Sequence, residues 1–326
     1  MMDIRDPALE GVAAKLADGR RLDAQDGLAM LATPDIHALG ELADGVKRQL
    51  HGDRAYYILN RHINYTNVCV LRCRFCSFCR RAGQADAYTL TVEEATRQAA
   101  EAYQAGATEA HIVGGLHPSL PFDYYVDLCR SIRSACPGMH IKAFTAIEIH
   151  HFARMAGNGM TIEGVLERLR EAGLDSLPGG GAEIFAGRVH DEAFAGKVGA
   201  DGWFAVHRAA HRMGMSTTAT MLFGHIETPA ERIEHLLTLR AHQDRSLAEG
   251  KGRFTCLVPL PFIPAGSGLS HLPGPSGVDQ LRTLAACRLM LDNVAHIKAF
   301  WVMLTPKLAQ VSLAWGVDDL DGTVEQ

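Results

Sequence analysis

The chain has 326 residues, of which 47% are hydrophobic and 21% charged, values typical of a folded globular protein. Its net charge is −5, with 32 basic and 37 acidic residues interspersed, so no basic stripe indicates a nucleic-acid partner. No secretory signal is recognisable, and no run of about 18 apolar residues predicts a membrane-spanning helix. We therefore expect a cytoplasmic protein with a small-molecule partner.

The predicted elements begin with helices. Apolar residues recur at helical spacing through residues 1–55, which we interpret as an N-terminal helical extension. From residue 56 onward, short apolar runs alternate with amphipathic segments. The predicted strands cover residues 62–68, 110–113, 140–144, 174–177, 217–222, 254–260 and 296–303.

This alternation predicts parallel strands joined by right-handed helical crossovers, and hence an α/β protein. Residues 56–305 are long enough for a full or partial (β/α) TIM-like barrel. An open doubly wound sheet is the alternative, because periodicity alone does not separate the two. Residues 306–326 are expected to form a short C-terminal segment that packs on the barrel.

Polar or glycine-rich positions follow five of the predicted strands. Barrel enzymes place their chemistry at the C-terminal ends of the strands, and glycine allows the backbone to approach a ligand closely. We therefore expect these positions to meet at one mouth of the barrel. In strand order they are Cys69, Cys73 and Cys76; Gly114, Gly115 and His117; Glu148; Gly180 and Glu183; and His225.

Three cysteines lie within eight residues, in the pattern Cys69-x₃-Cys73-x₂-Cys76. Thiolates are the usual ligands of iron–sulfur clusters, and three of them would leave one iron of a [4Fe–4S] cluster open to a chelating ligand. Cys79 extends the run by a further CxxC pair, which leaves structural zinc as an alternative. Four thiols within such a short segment would be cramped around a tetrahedral ion, because structural zinc sites draw ligands from separated segments.

The cysteine spacing, with Phe75 directly before the last cysteine, resembles the signature of the radical S-adenosylmethionine (SAM) superfamily. Four further stretches resemble the aminofutalosine synthase family of the futalosine route to menaquinone. They read HIVGGLHP at 111–118, KAFTAIEI at 142–149, GLDSLPGGGAEIF at 173–185 and ATMLFGHIE at 219–227. The dehypoxanthine futalosine cyclases and the F420-precursor synthases are related alternatives, and a non-catalytic metal-cluster scaffold is an alternative of another class.

The resemblance implies a transferase with a [4Fe–4S] cluster and SAM as cofactors, in a radical SAM barrel. In that family the 5′-deoxyadenosyl radical adds to 3-[(1-carboxyvinyl)oxy]benzoate, which yields 6-amino-6-deoxyfutalosine, methionine and bicarbonate. An external one-electron donor such as flavodoxin or ferredoxin would be the redox partner. Neither a nucleic acid nor a membrane is expected as a partner.

The resemblance also assigns roles to residues. Cys69, Cys73 and Cys76 are expected to bind the cluster. Contacts with SAM are expected from Phe75, Gly114, Gly115, Glu148, Gly180 and Glu183. Contacts with the substrate are expected from His117, Arg188 and His225. For His117 a structural role in its loop is the alternative, and for Glu148 a solvated carboxylate is the alternative.

Overall fold

The structure is a computed structural model that describes residues 4–157 and 159–325, with side chains described up to residue 322. Its first three helices are α1 (Pro7–Ala17), α2 (Ala24–Ala32) and α3 (Ile36–His51). The side chains of Asp6, Asp23 and Asp35 accept hydrogen bonds from backbone N–H groups in the first turns of these helices. Such caps satisfy donors that a helix leaves unpaired at its start.

The remaining elements alternate as the sequence predicts. The later helices are α4 (Val92–Gln104), α5 (Phe122–Ala135), α6 (Ala146–Ala156), α7 (Ile162–Glu171), α8 (Gly187–Ala193), α9 (Ala200–Arg212), α10 (Pro229–Glu249), α11 (Gly277–Met290), α12 (Trp301–Leu304) and α13 (Pro306–Ser312). The strands are β1 (Tyr56–Tyr57), β2 (Asn60–Asn64), β3 (Glu109–Val113), β4 (His140–Ala143), β5 (Thr217–Phe223), β6 (Phe254–Pro261), β7 (His296–Phe300), β8 (Asp319–Asp321) and β9 (Thr323–Glu325).

The strands form two parallel sheets that join into a barrel. One sheet has the order β1-β8-β7-β6-β5, and the other has the order β4-β3-β2-β9. Two isolated bridges, Lys142 with Ser176 and Leu177 with Thr217, connect β4 to β5 through residues 176–177. On the other side the broken strand β1/β2 pairs with the broken strand β8/β9. The pairings therefore pass around a ring, as in a TIM-like barrel, and not across an open sheet.

The end of the barrel differs from the sequence prediction. Residues 306–326 were expected to pack on the barrel, but β8 pairs with β7 and β9 pairs with β2, so the sheets extend to residue 325. These strands are three residues long and contain three acidic residues, too few apolar positions for a strand pattern. The predicted fourth strand, 174–177, contributes only the two isolated bridges.

Two further observations concern the helices. Helix α6 follows β4 directly and carries Glu148 in its first turn, where the sequence pattern predicted no helix. Among the described residues, no helix combines the length and the apolar character needed to cross a bilayer.

Candidate active site at the mouth of the barrel

The three cysteines lie in a loop that follows β2 and closes on itself. The backbone N–H of Cys69 donates to the carbonyl of Arg80 at 3.0 Å, and the N–H of Arg80 donates to the carbonyl of Asn67 at 2.7 Å. The N–H of Arg74 donates to the carbonyl of Ala193 at the end of α8, at 2.7 Å, which fixes the far side of the loop. These contacts make residues 67–80 a compact cysteine loop.

The sulfur atoms of this loop have the surroundings of cluster ligands. Cys69, Cys73 and Cys76 are free thiols of intermediate burial. Sγ of Cys69 accepts N–H groups from Leu71 and Leu116, each at 3.4 Å. Hydrogen bonds from backbone N–H groups to ligating sulfurs are a means by which proteins stabilise and tune iron–sulfur clusters.

The three thiols open into one cavity of about 170 Å³, which we call the cluster cavity. Besides Glu148, its lining contains six residues for which the sequence predicted a contact with the cluster or with SAM. These are Cys69, Cys73, Phe75, Cys76, Gly114 and Gly115. Cys79 also lines it, so four thiols converge there.

Gly114 and Gly115 are required for the close approach of β3 to the cysteine loop. A Cβ atom on Gly115 would lie 2.3 Å from the carbonyl oxygen of Val68, which is backbone and cannot rotate away. A Cβ on Gly114 would lie 2.7 Å from the ring of Tyr65. The paired glycines therefore allow the backbone itself to form one wall of the cluster cavity.

Glu148 lines the cluster cavity but its carboxylate is occupied. Oε1 accepts the hydroxyl of Tyr65 at 2.8 Å and the N–H of Gly114 at 3.1 Å. Oε2 accepts the N–H of Thr145 at 2.8 Å and its hydroxyl at 2.6 Å. Burial raises the pKa of Glu148 to about 7, although the four donors act in the opposite direction. Glu148 therefore positions Gly114 and caps the start of α6, and its contact with SAM stays a prediction.

Glu183 is buried at φ 41° and forms an ion pair with Lys197, whose side chain lines the cluster cavity. Nζ of Lys197 lies 5.0 Å from the centroid of the Phe75 ring, within the range of a cation–π contact. The sequence analysis did not identify Lys197, because a single lysine between glycines carries no spacing signal. Its ammonium and the Glu183 carboxylate are a zwitterionic pair at the cavity wall, complementary to the amino and carboxylate groups of an amino acid.

The glycine triplet at residues 179–181 is divided between two cavities. Gly181, at φ +94°, lines the cluster cavity. Gly180 instead lines a neighbouring cavity inside the barrel, and its carbonyl accepts the indole N–H of Trp203 at 3.3 Å. Gly181 therefore takes the place in the cluster cavity that was expected of Gly180, and the contact of Gly180 with SAM stays a prediction.

None of the three residues expected to bind substrate is in the lining of the two cavities, as far as the described residues show. Nδ1 of His117 accepts the N–H groups of Ser119 and Leu120, at 3.2 and 3.1 Å, so this ring braces its own loop. His225 is buried, with Nε2 3.0 Å from the carbonyl oxygen of Leu222. These two side chains turn into their own loops, which a sequence pattern cannot reveal.

Arg188 is also placed outside the site. Its guanidinium makes a bidentate ion pair with Glu231, at 2.9 and 2.6 Å, and its side chain is 42% exposed. The ion pair keeps the pKa of Glu231 low, at about 2. In the structure this arginine connects α8 to α10, and the contact with substrate expected of it stays a prediction.

The neighbouring cavity, which we call the lumen cavity, lies inside the barrel and shares Val113 and Thr145 with the cluster cavity. Its volume is about 190 Å³. It is lined by His62, His111, Val113, Lys142, Thr145, Pro178, Gly179, Gly180, Thr218, Thr220, Val258, Leu260, Phe300, Met303 and Asp321. A reacting group in the lumen cavity would therefore be separated from the cysteine loop only by the cluster cavity.

The polar part of this lining was not predicted from the sequence. One signal for it was available: polar residues recur at every second position of the buried strands, at 60, 62 and 64, at 109 and 111, and at 319 and 321, and such positions point to one face of a strand. The lumen of a TIM barrel is usually filled by branched apolar side chains. Ionisable residues at these inward positions therefore indicate a functional interior.

The donor set fits a [4Fe–4S] cluster with one open iron. Three thiols in a single loop converge on one cavity, and glycines keep the facing wall free of side chains. The opposite wall carries the Lys197–Glu183 pair, which suits the methionyl end of SAM. A zinc site formed by the four thiols would leave this arrangement of glycines and charges without a role.

Comparison with known proteins agrees with this geometry. Residues 63–239 match the model of the radical SAM superfamily. The chain is 46% identical to aminodeoxyfutalosine synthase of Thermus thermophilus and 41% identical to that of Streptomyces coelicolor. These alignments cover 99% and 95% of this chain, and 86% and 81% of the relatives. It is also 39% identical to a 5-amino-6-(D-ribitylamino)uracil–L-tyrosine 4-hydroxyphenyl transferase of Methanopyrus kandleri, over 96% of this chain and 83% of the relative.

Among solved structures, methylornithine synthase superposes with a TM-score of 0.73, at 19% identity, over 97% of this chain and 88% of that one. At that identity the likeness shows the shared barrel fold alone. The similarity to the two aminodeoxyfutalosine synthases extends over nearly the whole of this chain. The chain belongs to the radical SAM superfamily and, within it, to the aminodeoxyfutalosine synthase family.

Proposed function

We propose that this enzyme joins the adenosyl group of SAM to 3-[(1-carboxyvinyl)oxy]benzoate. The products are 6-amino-6-deoxyfutalosine, methionine and bicarbonate. The observation that carries the proposal is the direct contact between two cavities, one lined by three cluster thiols and one lined by apolar and hydrogen-bonding side chains. An adenosyl radical formed in the first can reach a vinyl carbon held at the mouth of the second.

When bound, the cluster and SAM supply the 5′-deoxyadenosyl radical by one-electron reductive cleavage. The chain binds the cluster through Cys69, Cys73 and Cys76. Lys197, held by its ion pair with Glu183, would face the methionyl carboxylate of SAM, and the Gly114–Gly115 backbone would form another wall of the site.

We propose that an acidic one-electron donor such as flavodoxin or ferredoxin binds the outer face of the cysteine loop. Arg72, Arg74 and Arg81 are exposed there, and all three line a shallow depression together with Cys69 and Cys73. Positive charge on this face favours encounter with an acidic protein. The eight cysteines are all free thiols, which supports a reducing cytoplasmic setting for this chemistry.

The test is anaerobic reconstitution followed by an activity assay. We expect about four irons per chain, from the three-thiolate site, and a change in the EPR signal of the reduced cluster when SAM is added. Incubation with dithionite, SAM and the vinyl ether should yield the aminodeoxyfutalosine product.

A second candidate is the transfer of a tyrosine-derived hydroxyphenyl group, which the name of the Methanopyrus relative describes. The same reconstituted enzyme is therefore assayed with L-tyrosine and 5-amino-6-(D-ribitylamino)uracil. Turnover of this pair and none of the vinyl ether would replace the proposed reaction with the alternative. Stoichiometric zinc without iron would reject both.

A further inference from the structure

The inner end of the lumen cavity is polar and ionic. We define the lumen floor as His62, His111, Lys142 and Asp321, the ionisable side chains that line this cavity. Two further carboxylates and one ammonium lie directly behind them, on Glu109, Asp319 and Lys298. All seven residues lie on β2, β3, β4, β7 and β8, so the barrel itself fixes their positions.

The charges of the floor are already paired within the protein. Nζ of Lys142 lies 2.7 Å from Oε1 of Glu109. Nζ of Lys298 lies 3.4 Å from Asp319 and 3.5 Å from Asp321. Two ammonium groups therefore face three carboxylates, and the floor has no surplus positive charge with which to receive an anion.

The floor also contains two histidines, His62 and His111. Burial lowers the pKa of His62, and burial with the nearby Lys142 ammonium holds the pKa of His111 well below its usual range. Their rings stack, with centroids 4.6 Å apart. Nδ1 of His111 is buried, has no hydrogen-bond partner among the described residues and lies 4.0 Å from Oε1 of Glu109. A buried polar atom without a partner is costly, and His111 lines the lumen cavity, where a ligand can contact its ring.

Much of the remaining lining is apolar. Val258, Leu260, Phe300 and Met303 line the lumen cavity together with the floor residues. The ring of Phe300 stacks with that of His62 at 5.8 Å and 14°. An apolar sleeve that ends in hydrogen-bonding groups fits a flat aromatic ring with one acidic substituent at its far end.

The position of the cluster fixes the direction in which such a ligand lies. The vinyl carbon of the substrate must face the cluster cavity, where the adenosyl radical arises. The carboxylate on the benzene ring is at the other end of the molecule and therefore points toward the floor. This step rests on the proposed function.

We propose that the lumen floor is the binding site for the ring carboxylate of an aryl carboxylate substrate, with His111 as a donor to it, and that binding takes up one proton. The substrate adds a negative charge to a site where carboxylates already outnumber ammonium groups. Protonation of an imidazole restores the balance, because an unpaired buried charge is far more costly than a paired one. The groups facing His111 are His62, Glu109, Lys142, Lys298 and Asp321.

The experiment measures ligand binding to the reconstituted enzyme with SAM bound and no reductant, so that no turnover occurs. The two probes are 3-[(1-carboxyvinyl)oxy]benzoate and 2-phenoxyacrylate, which lacks only the ring carboxylate. Isothermal titration calorimetry in buffers of different protonation enthalpy gives both the dissociation constant and the number of protons taken up. We expect the wild type to prefer the benzoate by about 30-fold and to take up about one proton with it, but none with 2-phenoxyacrylate.

His111→Phe keeps an aromatic ring against His62 and removes both ring nitrogens. We expect this variant to bind 2-phenoxyacrylate within about threefold of the wild type, and to lose most of the preference for the benzoate. His111→Gln, which keeps a donor, should retain part of it. His140→Asn is the matched control, because His140 begins β4, bonds to Ser176 and does not line the lumen cavity. This variant should keep the wild-type preference for the benzoate over 2-phenoxyacrylate.

The outcomes separate this inference from the proposed function. A wild type that converts the vinyl ether but does not discriminate between the two probes, or takes up no proton, overturns the lumen-floor site and leaves the function standing. If His111→Phe weakens the binding of both probes equally, the lumen-floor site is likewise overturned and the proposed function stands. A wild type that neither binds nor converts the vinyl ether overturns both. The wild-type measurements alone decide the matter if a His111 variant does not fold.

Discussion

The cysteine loop and the lumen floor are neighbours in one barrel, yet they hold polar groups in different ways. The loop presents thiols of intermediate burial, held in place by backbone hydrogen bonds such as that from Cys69 to Arg80. The floor holds its charges in buried ion pairs between side chains on different strands. The first arrangement leaves its ligating atoms for an external metal cluster, whereas the second satisfies most of its charges internally.

This difference teaches where each region is vulnerable. A substitution in the loop removes a ligand but leaves the protein fold nearly intact, because the loop backbone bonds to itself. A substitution of one member of an ion pair at the floor leaves a charge inside the barrel without its counterpart, which affects folding before it affects chemistry. Four substitutions test this contrast.

The largest effect is expected at the loop. Cys73→Ser should lower product formation by about 10³-fold or more, because the radical chemistry depends on the cluster, while secondary structure remains that of the wild type. Iron content after reconstitution and circular dichroism measure the two properties. Cys79→Ser is the matched control and should keep about four irons. If the Cys79 variant loses iron and the Cys73 variant does not, Cys79 and not Cys73 binds the cluster.

The next effect is on stability at the floor. Lys142→Met leaves the Glu109 carboxylate buried without its partner and should lower the free energy of unfolding by about 3–5 kcal/mol. The double variant with Glu109→Leu removes both charges and should recover most of that loss. Anaerobic chemical denaturation measures each value. If the single and double variants are equally destabilised, the loss arises from packing and not from the unpaired charge.

Glu148, at the boundary between the regions, gives a pH dependence. Its pKa is raised from 4.5 to about 7, so the folded state binds more protons than the unfolded state between these values. Its contribution therefore makes stability fall as the pH rises from about 4.5 to about 7, by about 3 kcal/mol in total. Unfolding free energies at pH 5 and pH 8 are compared for the wild type and Glu148→Gln. The two proteins should differ in slope, and parallel slopes would contradict the raised pKa.

The smallest effect is expected at the glycine wall. Gly115→Ala places a Cβ atom against the Val68 carbonyl and forces the cysteine loop outward, which should weaken SAM binding by about tenfold. Gly277→Ala, where an added Cβ meets nothing within 4 Å, is the control. Equilibrium binding of SAM to the reconstituted protein gives both constants. Unchanged affinity in the Gly115 variant would show that this wall does not set the position of SAM.

The sequence predicted the cysteine loop because its signal is local. Three thiols at fixed spacing, followed by paired glycines after the next strand, are visible without any knowledge of the fold. The barrel was predicted for a similar reason, since its strands and helices alternate along the chain. The prediction was wrong about the last residues, where two strands of three residues each carry too little apolar pattern to be recognised.

Side-chain direction explains why several predicted site residues do not meet in the cavities. His117 and His225 follow strands as expected, but the ring of His117 bonds within its own loop and that of His225 lies against the carbonyl of Leu222 in β5. Glu148 was placed correctly near Gly114, yet its oxygens are filled by four donors that no spacing rule reveals. Lys197 reaches the cluster cavity from a glycine-rich segment without a pattern. Such contacts depend on tertiary structure and not on the order of residues.

The pairing of β2 with the end of the chain has a consequence for how the protein folds. The hydrogen bond from Asn60 to Asp321 joins residues 261 positions apart, and Asp321 is itself part of the lumen floor. Contacts between residues so distant in sequence form slowly and late, whereas the cysteine loop closes through contacts within fourteen residues, 67–80. During synthesis at the ribosome, the metal-binding loop can therefore form before the chain segment that completes the barrel has been made.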